Sequence, residues 1–272
     1  MQSYQHTLLL LLFGLIFIAS CDNTLDPTDR NNGDFAVYGF LDLNEETSYI
    51  RIRDLNAPFT AEATEELDAI VTLTNLNSGV SDILNSNIRE FQGVFQHTYF
   101  YNENIVPDNE YLLSLERSDG VVVELTTRTP TKPDPVITPE NPNCYEPIQI
   151  TLTPLNGGTV VFRFATRPDI DEDDRNPWSF PVVIGPDNRN DEEIINLTIT
   201  PITMAQFLAS DPQNAPCSSL LSQGSLTMRV AHYAPGFYEK VTDDELDILE
   251  STRQFGAFYA DTLRIPIDTS SL

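Results

Sequence analysis

The stretch FAVYGFL, residues 35–41, sets Phe35, Val37, Gly39 and Leu41 on one side of an extended chain. SYIRIR (48–53) repeats the pattern, with Ile50 and Ile52 facing one way and Tyr49, Arg51 and Arg53 the other. DAIVTLT turns Ala69, Val71 and Leu73 to one side and ends on an Asn-Ser-Gly turn. The alternation continues through FQGVFQHTYFY (91–101), Tyr111–Glu116 and Val121–Thr127, the last two joined by a tight Ser-Asp-Gly turn. A helix needs an apolar period near 3.6, so a chain written in twos and punctuated by 19 prolines is predicted to be mainly β.

Pro130, Pro133, Pro135, Pro139, Pro142 and Pro147 crowd one stretch. Proline donates nothing to a central ladder, so residues 131–146 read as an extended connector or an edge. They divide a sandwich over 35–130 from a second β-rich domain over 147–272. Strands are predicted there at 148–153, 159–166, 180–184, 194–200, 225–233 and 262–267. Two segments leave the period of two. TMAQFLAS (203–210) is a candidate short helix. VTDDELDILES (241–251) is a second, with Thr242 as N-cap, Glu245 at the third helical position and Val241 placed to staple on Leu246. Asp243 and Asp244 suit the positive end of its dipole.

Ahead of the β pattern, Leu8–Ile18 is an unbroken apolar run. At about 1.5 Å per residue it is too short to cross a hydrocarbon core of about 30 Å, but it matches the h-region of a secretion signal over residues 1–20. The n-region MQSYQHT departs from that pattern in carrying no Lys or Arg. Ile18-Ala19-Ser20-Cys21 resembles the lipobox of bacterial lipoproteins, which implies cleavage before Cys21 and acylation of that residue. Several buried acyl chains, at about 0.8 kcal/mol per CH₂, would make attachment lasting. Residues 21–34, polar and poor in apolar side chains, then form a tether between lipid and fold.

The chain carries a formal charge of −26. Such a surface repels phosphate backbones and anionic head groups, so no nucleic-acid partner is expected and attachment rests on lipid. With Cys21 committed to lipid, Cys144 and Cys217 remain. A bridge between them would close a loop of about 70 residues, worth roughly 4 kcal/mol on the chain-entropy relation. Two buried free thiols are the alternative.

Catalytic motifs are absent: there is no HExxH, CxxC, GxSxG or GxxxxGK[ST]. His97 and His232 alternate with apolar residues and read as strand histidines facing packed layers, so the chain is not expected to be an enzyme or to need a cofactor. The sharpest polar feature is the acidic region 169–193. Asp169, Asp171 and Asp173 have the spacing with which calcium loops present oxygens, but Asp174 and Phe180 stand where an EF-hand needs Gly and Glu. The alternatives are another calcium geometry or a solvated loop. Trp178, the only tryptophan, lies within the same region. It is a candidate contact for a partner or a sugar ring, or else an anchor that holds the loop down.

Taken in order, the lipobox, FAVYGFL, SYIRIR, DAIVTLT, VPDNEYLLSLERSDG, TRTPTKP, RVAHYAPGFYEKV and FGAFYAD resemble a group of uncharacterised outer-membrane lipoproteins of Bacteroidota-type bacteria. The resemblance covers most of the chain after the signal. It implies an immunoglobulin-like N-terminal part, two β-sandwich parts in all, and one or two short helices in the C-terminal part. It also implies the outer membrane and the company of a TonB-dependent receptor, and it supplies no catalytic residues. The expected function is a non-enzymatic, lipid-anchored accessory that binds a ligand or partner. The alternatives are a carbohydrate-binding surface lipoprotein and a calcium-stabilised structural envelope protein. Acids soon after Cys21 resemble a surface-export signal, which favours the cell surface over the periplasmic face.

Overall fold

The structure, a computed structural model, describes residues 34–56, 66–91, 94–153, 155–165, 181–186, 194–208, 224–238 and 253–268. The period of two becomes strand almost wherever it was read. The first eight strands are β1 (Phe35–Asp42), β2 (Ser48–Asp54), β3 (Ile70–Asn75), β4 (Val80–Ile83), β5 (Asn85–Phe91), β6 (Val94–Tyr101), β7 (Glu110–Glu116) and β8 (Val122–Arg128). They form two layers in the orders β1-β2-β6-β5 and β4-β3-β7-β8. This is the strand arrangement of an immunoglobulin sandwich, with β4 as the additional edge strand.

The inward residues are those the alternation assigns. Phe35, Val37, Leu41, Ile50 and Ile52 from one layer meet Val71, Leu73, Leu113 and Leu115 from the other, all buried. Each such aliphatic or aromatic side chain contributes about 1.5–3 kcal/mol on leaving water. Tyr111, at the start of β7, is buried with its hydroxyl satisfied. The oxygen accepts from the Val106 amide at 3.0 Å and from Asn75 Nδ2 at 3.2 Å. A tyrosine that reaches back to the backbone before its own strand is the corner that pins this type of sandwich.

The remaining strands are β9 (Asp134–Thr138), β10 (Ile148–Thr153), β11 (Thr159–Ala165), β12 (Val182–Ile184), β13 (Ile195–Ile199), β14 (Ser225–Tyr233) and β15 (Arg253–Pro266). Here β13-β10-β9 faces β12-β11-β14-β15 over a second core that includes Ile148, Ile150, Phe162, Phe164, Met228 and Ile265. The proline-rich stretch supplies β9, which among the described strands pairs with β10 alone and so keeps Pro135 on a sheet edge. Helix α1 (Pro201–Leu208) occupies the position read for TMAQFLAS and opens on proline, whose fixed φ suits a first turn. The helix read over 241–251 lies outside the described residues.

The two sandwiches share a sheet. β15 is 14 residues long, more than twice the expected strand over 262–267. Its first half runs parallel to β1, from Val37↔Arg253 to Asp42↔Phe258. From Phe258 onward it runs antiparallel to β14, from Tyr233↔Phe258 to Ser225↔Pro266. One strand therefore belongs to both cores: Phe255, Ala257 and Tyr259 lie in the first, Ile265 in the second. The result is a single eight-stranded sheet, β12-β11-β14-β15-β1-β2-β6-β5, which crosses the boundary read at 131–146. A second difference is that FQGVFQHTYFY is not one strand. Phe91 closes β5 and Val94 opens β6, paired across a hairpin.

Candidate functional site

The outer face of β1, β2, β6 and β5 gathers the side chains that the alternation turns away from the core. Tyr38 stands opposite Arg51, Phe40 opposite Tyr49, and Tyr49 opposite Phe100. Tyr49 and Phe100 meet edge to face at 5.5 Å between centroids, and Tyr38 meets Phe40 likewise at 6.5 Å. The aromatic row then crosses into the second module. Phe40 packs on Phe258 at 5.2 Å, Phe258 on Tyr233 at 5.8 Å, and Tyr233 on Tyr238 at 5.2 Å.

Arginines lie over these rings. The Arg51 guanidinium sits 4.7 Å from the centre of Tyr38. Arg89 reaches back along the strands to lie 4.7 Å from Phe100 and 5.2 Å from Tyr49. Between the rows of Ala36 and Phe40 the outward positions of the four strands include Arg51, Arg53 and Arg89 and no carboxylate. In a chain with 41 acidic residues against 15 basic ones, that is a local reversal of sign. Tyr38 at 42% and Tyr49 at 39% exposure leave much of their rings in solvent. Beside them Thr98 is fully buried, and its hydroxyl makes no hydrogen bond to a described residue. Aromatic rings and arginines in one desolvatable patch are the residue types that dominate binding energy at protein interfaces. Because guanidinium groups already occupy ring faces, the patch is less suited to stacking a sugar.

A polar junction ties the two sandwiches together. Asn156, between β10 and β11, donates to Asp108 Oδ1 at 2.6 Å and to the Thr129 carbonyl at 3.1 Å. Its own oxygen accepts from the Thr131 amide at 3.0 Å. The Asn156 and Arg128 hydrogen bonds hold the Asp108 carboxyl below the usual carboxylate range. His232 of β14 is fully buried, with Nδ1 2.9 Å from the Thr131 carbonyl and Nε2 2.7 Å from the Gly157 carbonyl. His97, opposite Ile52 and Ile88, is also buried, and loss of solvent lowers its pKa below the ordinary histidine value.

Of the other residues singled out in the sequence, Cys144 is buried and disulfide-bonded. Cys217, Cys21, Trp178, Asp169, Asp171 and Asp173 lie outside the described residues. Among the described residues no group of three or more His, Cys, Asp or Glu side chains could hold a metal ion. A groove of about 500 Å³ beside Arg117 is lined by Glu66, Asp68 and Glu116. Its one cation is already engaged by Asp119 at 2.9 Å, Asp34 at 3.4 Å and Asp54 at 3.7 Å. The sequence had placed Tyr49, Arg51 and Arg53 on one side of a strand. Arg89 is not disclosed by the sequence, because the asparagines and serine of NSNIREF hide the strand that carries it.

No protein-family model matches the chain, and no curated protein does. Among solved structures it is similar to a pullulanase from Anoxybacillus sp. LM18-11, at 9% identity and a TM-score of 0.24, over 73% of this chain and 24% of that one. It is similar to the fibronectin(III)-like modules of CbhA from Clostridium thermocellum, at 12% identity and a TM-score of 0.21, over 85% and 93%. It is also similar to Dpr11 IG1 in its complex with DIP-gamma, at 9% identity and a TM-score of 0.21, over 86% and 98%. The chain spans about a quarter of the pullulanase. Likenesses this slight bear on neither activity nor fold; the mainly β, sandwich architecture rests on the chain's own strand orders.

Proposed function

We propose that the protein is a non-enzymatic, lipid-anchored binding protein of the outer membrane, an accessory to a TonB-dependent receptor that it meets through the arginine-capped aromatic face. The observation that carries this reading is the face itself: exposed Tyr38, Tyr49 and Arg89 beside the half-buried Arg51 and Arg53, at outward strand positions that carry no carboxylate, on an otherwise acidic chain. A partner would meet it with acidic and aromatic groups. Cys21 and the polar residues after it supply the anchor and tether in this reading.

Two measurements test it. Fatty-acid labelling of the expressed chain should mark the wild type and not Cys21→Ala. Purification from detergent-solubilised membranes should recover a TonB-dependent barrel with the wild type, and less of it with Tyr49→Ala. Recovery of the lipoprotein without any barrel, or retention on a polysaccharide gel that depends on Tyr49, would displace the receptor reading.

A further inference from the structure

The His232 side chain meets both the inter-module connector and the β10–β11 turn, through Thr131 and Gly157. Both of its ring nitrogens face carbonyl oxygens, at 2.9 and 2.7 Å. A carbonyl only accepts. A neutral imidazole carries one N–H and one bare lone pair, so it can satisfy one of these carbonyls and must turn a lone pair on the other. At such distances inside a fully buried site that opposition is costly. Only the doubly protonated ring donates to both.

We propose that the folded protein holds His232 as the imidazolium ion, and that this buried cation is a pH-sensitive clasp between the two sandwiches. Its surroundings among the described residues are mixed. On β11 its cross-strand neighbour is the apolar Val160, and on β15 it is Tyr259. The Tyr259 hydroxyl donates to Asp261 at 3.0 Å, and Lys132, next to Thr131, lies 5.7 Å from the Tyr259 ring. Asp134 adds its field at Tyr259, and Asp108 reaches the junction through Asn156. Lys132 opposes a second cation. The three carboxylates favour one, and burial works against any charge. The two carbonyl contacts decide for the cation, because each is a hydrogen bond only if its nitrogen is protonated.

The linkage has a definite sign. Above the pH at which an unfolded histidine deprotonates, about 6.5, the folded chain binds one proton more than the unfolded one. The clasp's stabilisation is therefore complete below that pH and is lost as the pH rises through the ring's titration in the fold. Losing it frees the connector from one side, which would loosen the two modules against each other.

The test is ¹⁵N–¹H correlation of the imidazole rings in the intact chain at about pH 6, where free histidine is mostly protonated, and at stepwise higher pH. Samples carrying His6→Gln and His97→Gln assign the signals of the three histidines. The expected result is two slowly exchanging ring N–H groups on His232 that persist after His97 has become neutral. With rising pH the wild type should lose several degrees of melting temperature that His232→Asn does not lose. A single protonated nitrogen on His232 at about pH 6 would overturn the proposal. Should the variant fail to fold, the wild-type spectrum alone gives the answer.

Discussion

The ring of Phe237 lies against Gly256 in the space that any β-carbon at that position would need. Gly256 is on β15 opposite Phe40, and Phe237 follows the end of β14, so the contact closes the seam between the modules. The same turn is tied down by the Ala234 amide donating to the Ala257 carbonyl at 2.8 Å. RVAHYAPGFYEKV and FGAFYAD meet here through Tyr233 on Phe258 and Phe237 on Gly256.

That contact predicts an overpacking penalty. Gly256→Ala must push Phe237 off the sheet and should cost about 1–3 kcal/mol. Phe237→Ala removes a buried ring and should cost about 3–5 kcal/mol. The double variant should cost clearly less than the sum, since the added methyl meets no ring once Phe237 is truncated. Urea unfolding of the four proteins checks this, and strict additivity would show that the two residues do not touch.

Much of the fold was legible because the core alternates in twos. Phe35, Val37, Leu41, Ile50 and Ile52 face inward as their spacing requires. The shared strand was not legible. FGAFYAD places Phe255, Ala257 and Tyr259 in the first core, but its outward positions carry Gly256 and Phe258, so both faces look apolar and the period of two is hidden. Its partner β1 lies more than 200 residues away and runs parallel, a pairing no local turn announces. The candidate face was half legible. Tyr49 and Arg51 show their side by alternation, but Arg89 lies in NSNIREF, whose asparagines and serine read as loop.

The tyrosine corner gives a second stability prediction. Tyr111→Phe keeps the ring and removes the oxygen that accepts from Val106 and Asn75. The buried Asn75 amide and the partly buried Val106 N–H lose their partner, so the loss should be about 1–3 kcal/mol with little change in the denaturant slope. Guanidinium unfolding measures it. A change below about 0.5 kcal/mol would mean that water takes over the oxygen's role.

Alkaline pH should unfold the protein through its tyrosines. Burial, with nearby Glu66 for Tyr99 and Asp82 and Glu103 for Tyr101, pushes both hydroxyls up to about 12. Tyr259 is also held at about 12, by burial and by Asp261. A raised folded value means that the stabilisation is intact below the unfolded value, about 10, and falls as pH climbs toward 12. Phenolate absorbance should show exposed tyrosines ionising first, and these three only as circular dichroism reports loss of the sheets. Three late groups ionising reversibly in a still-folded chain would contradict this placement.

Arg89 separates binding from stability most cleanly. Its side chain is on an edge strand, exposed, and forms no ion pair with a described residue, while its guanidinium covers Phe100 and Tyr49. Stacking at an exposed site is worth about 0.5–1 kcal/mol, so Arg89→Ala should lower the melting temperature only slightly. Partner affinity should respond much more, by roughly tenfold for Arg89→Ala, as when a central interface arginine is truncated. Arg89→Glu should weaken it further and reverse the salt dependence of association, because the sign of the face then matches the rest of the chain. Melting curves paired with receptor co-purification at low and high salt would read both effects. Unchanged recovery with Arg89→Glu would place the contact elsewhere on the molecule.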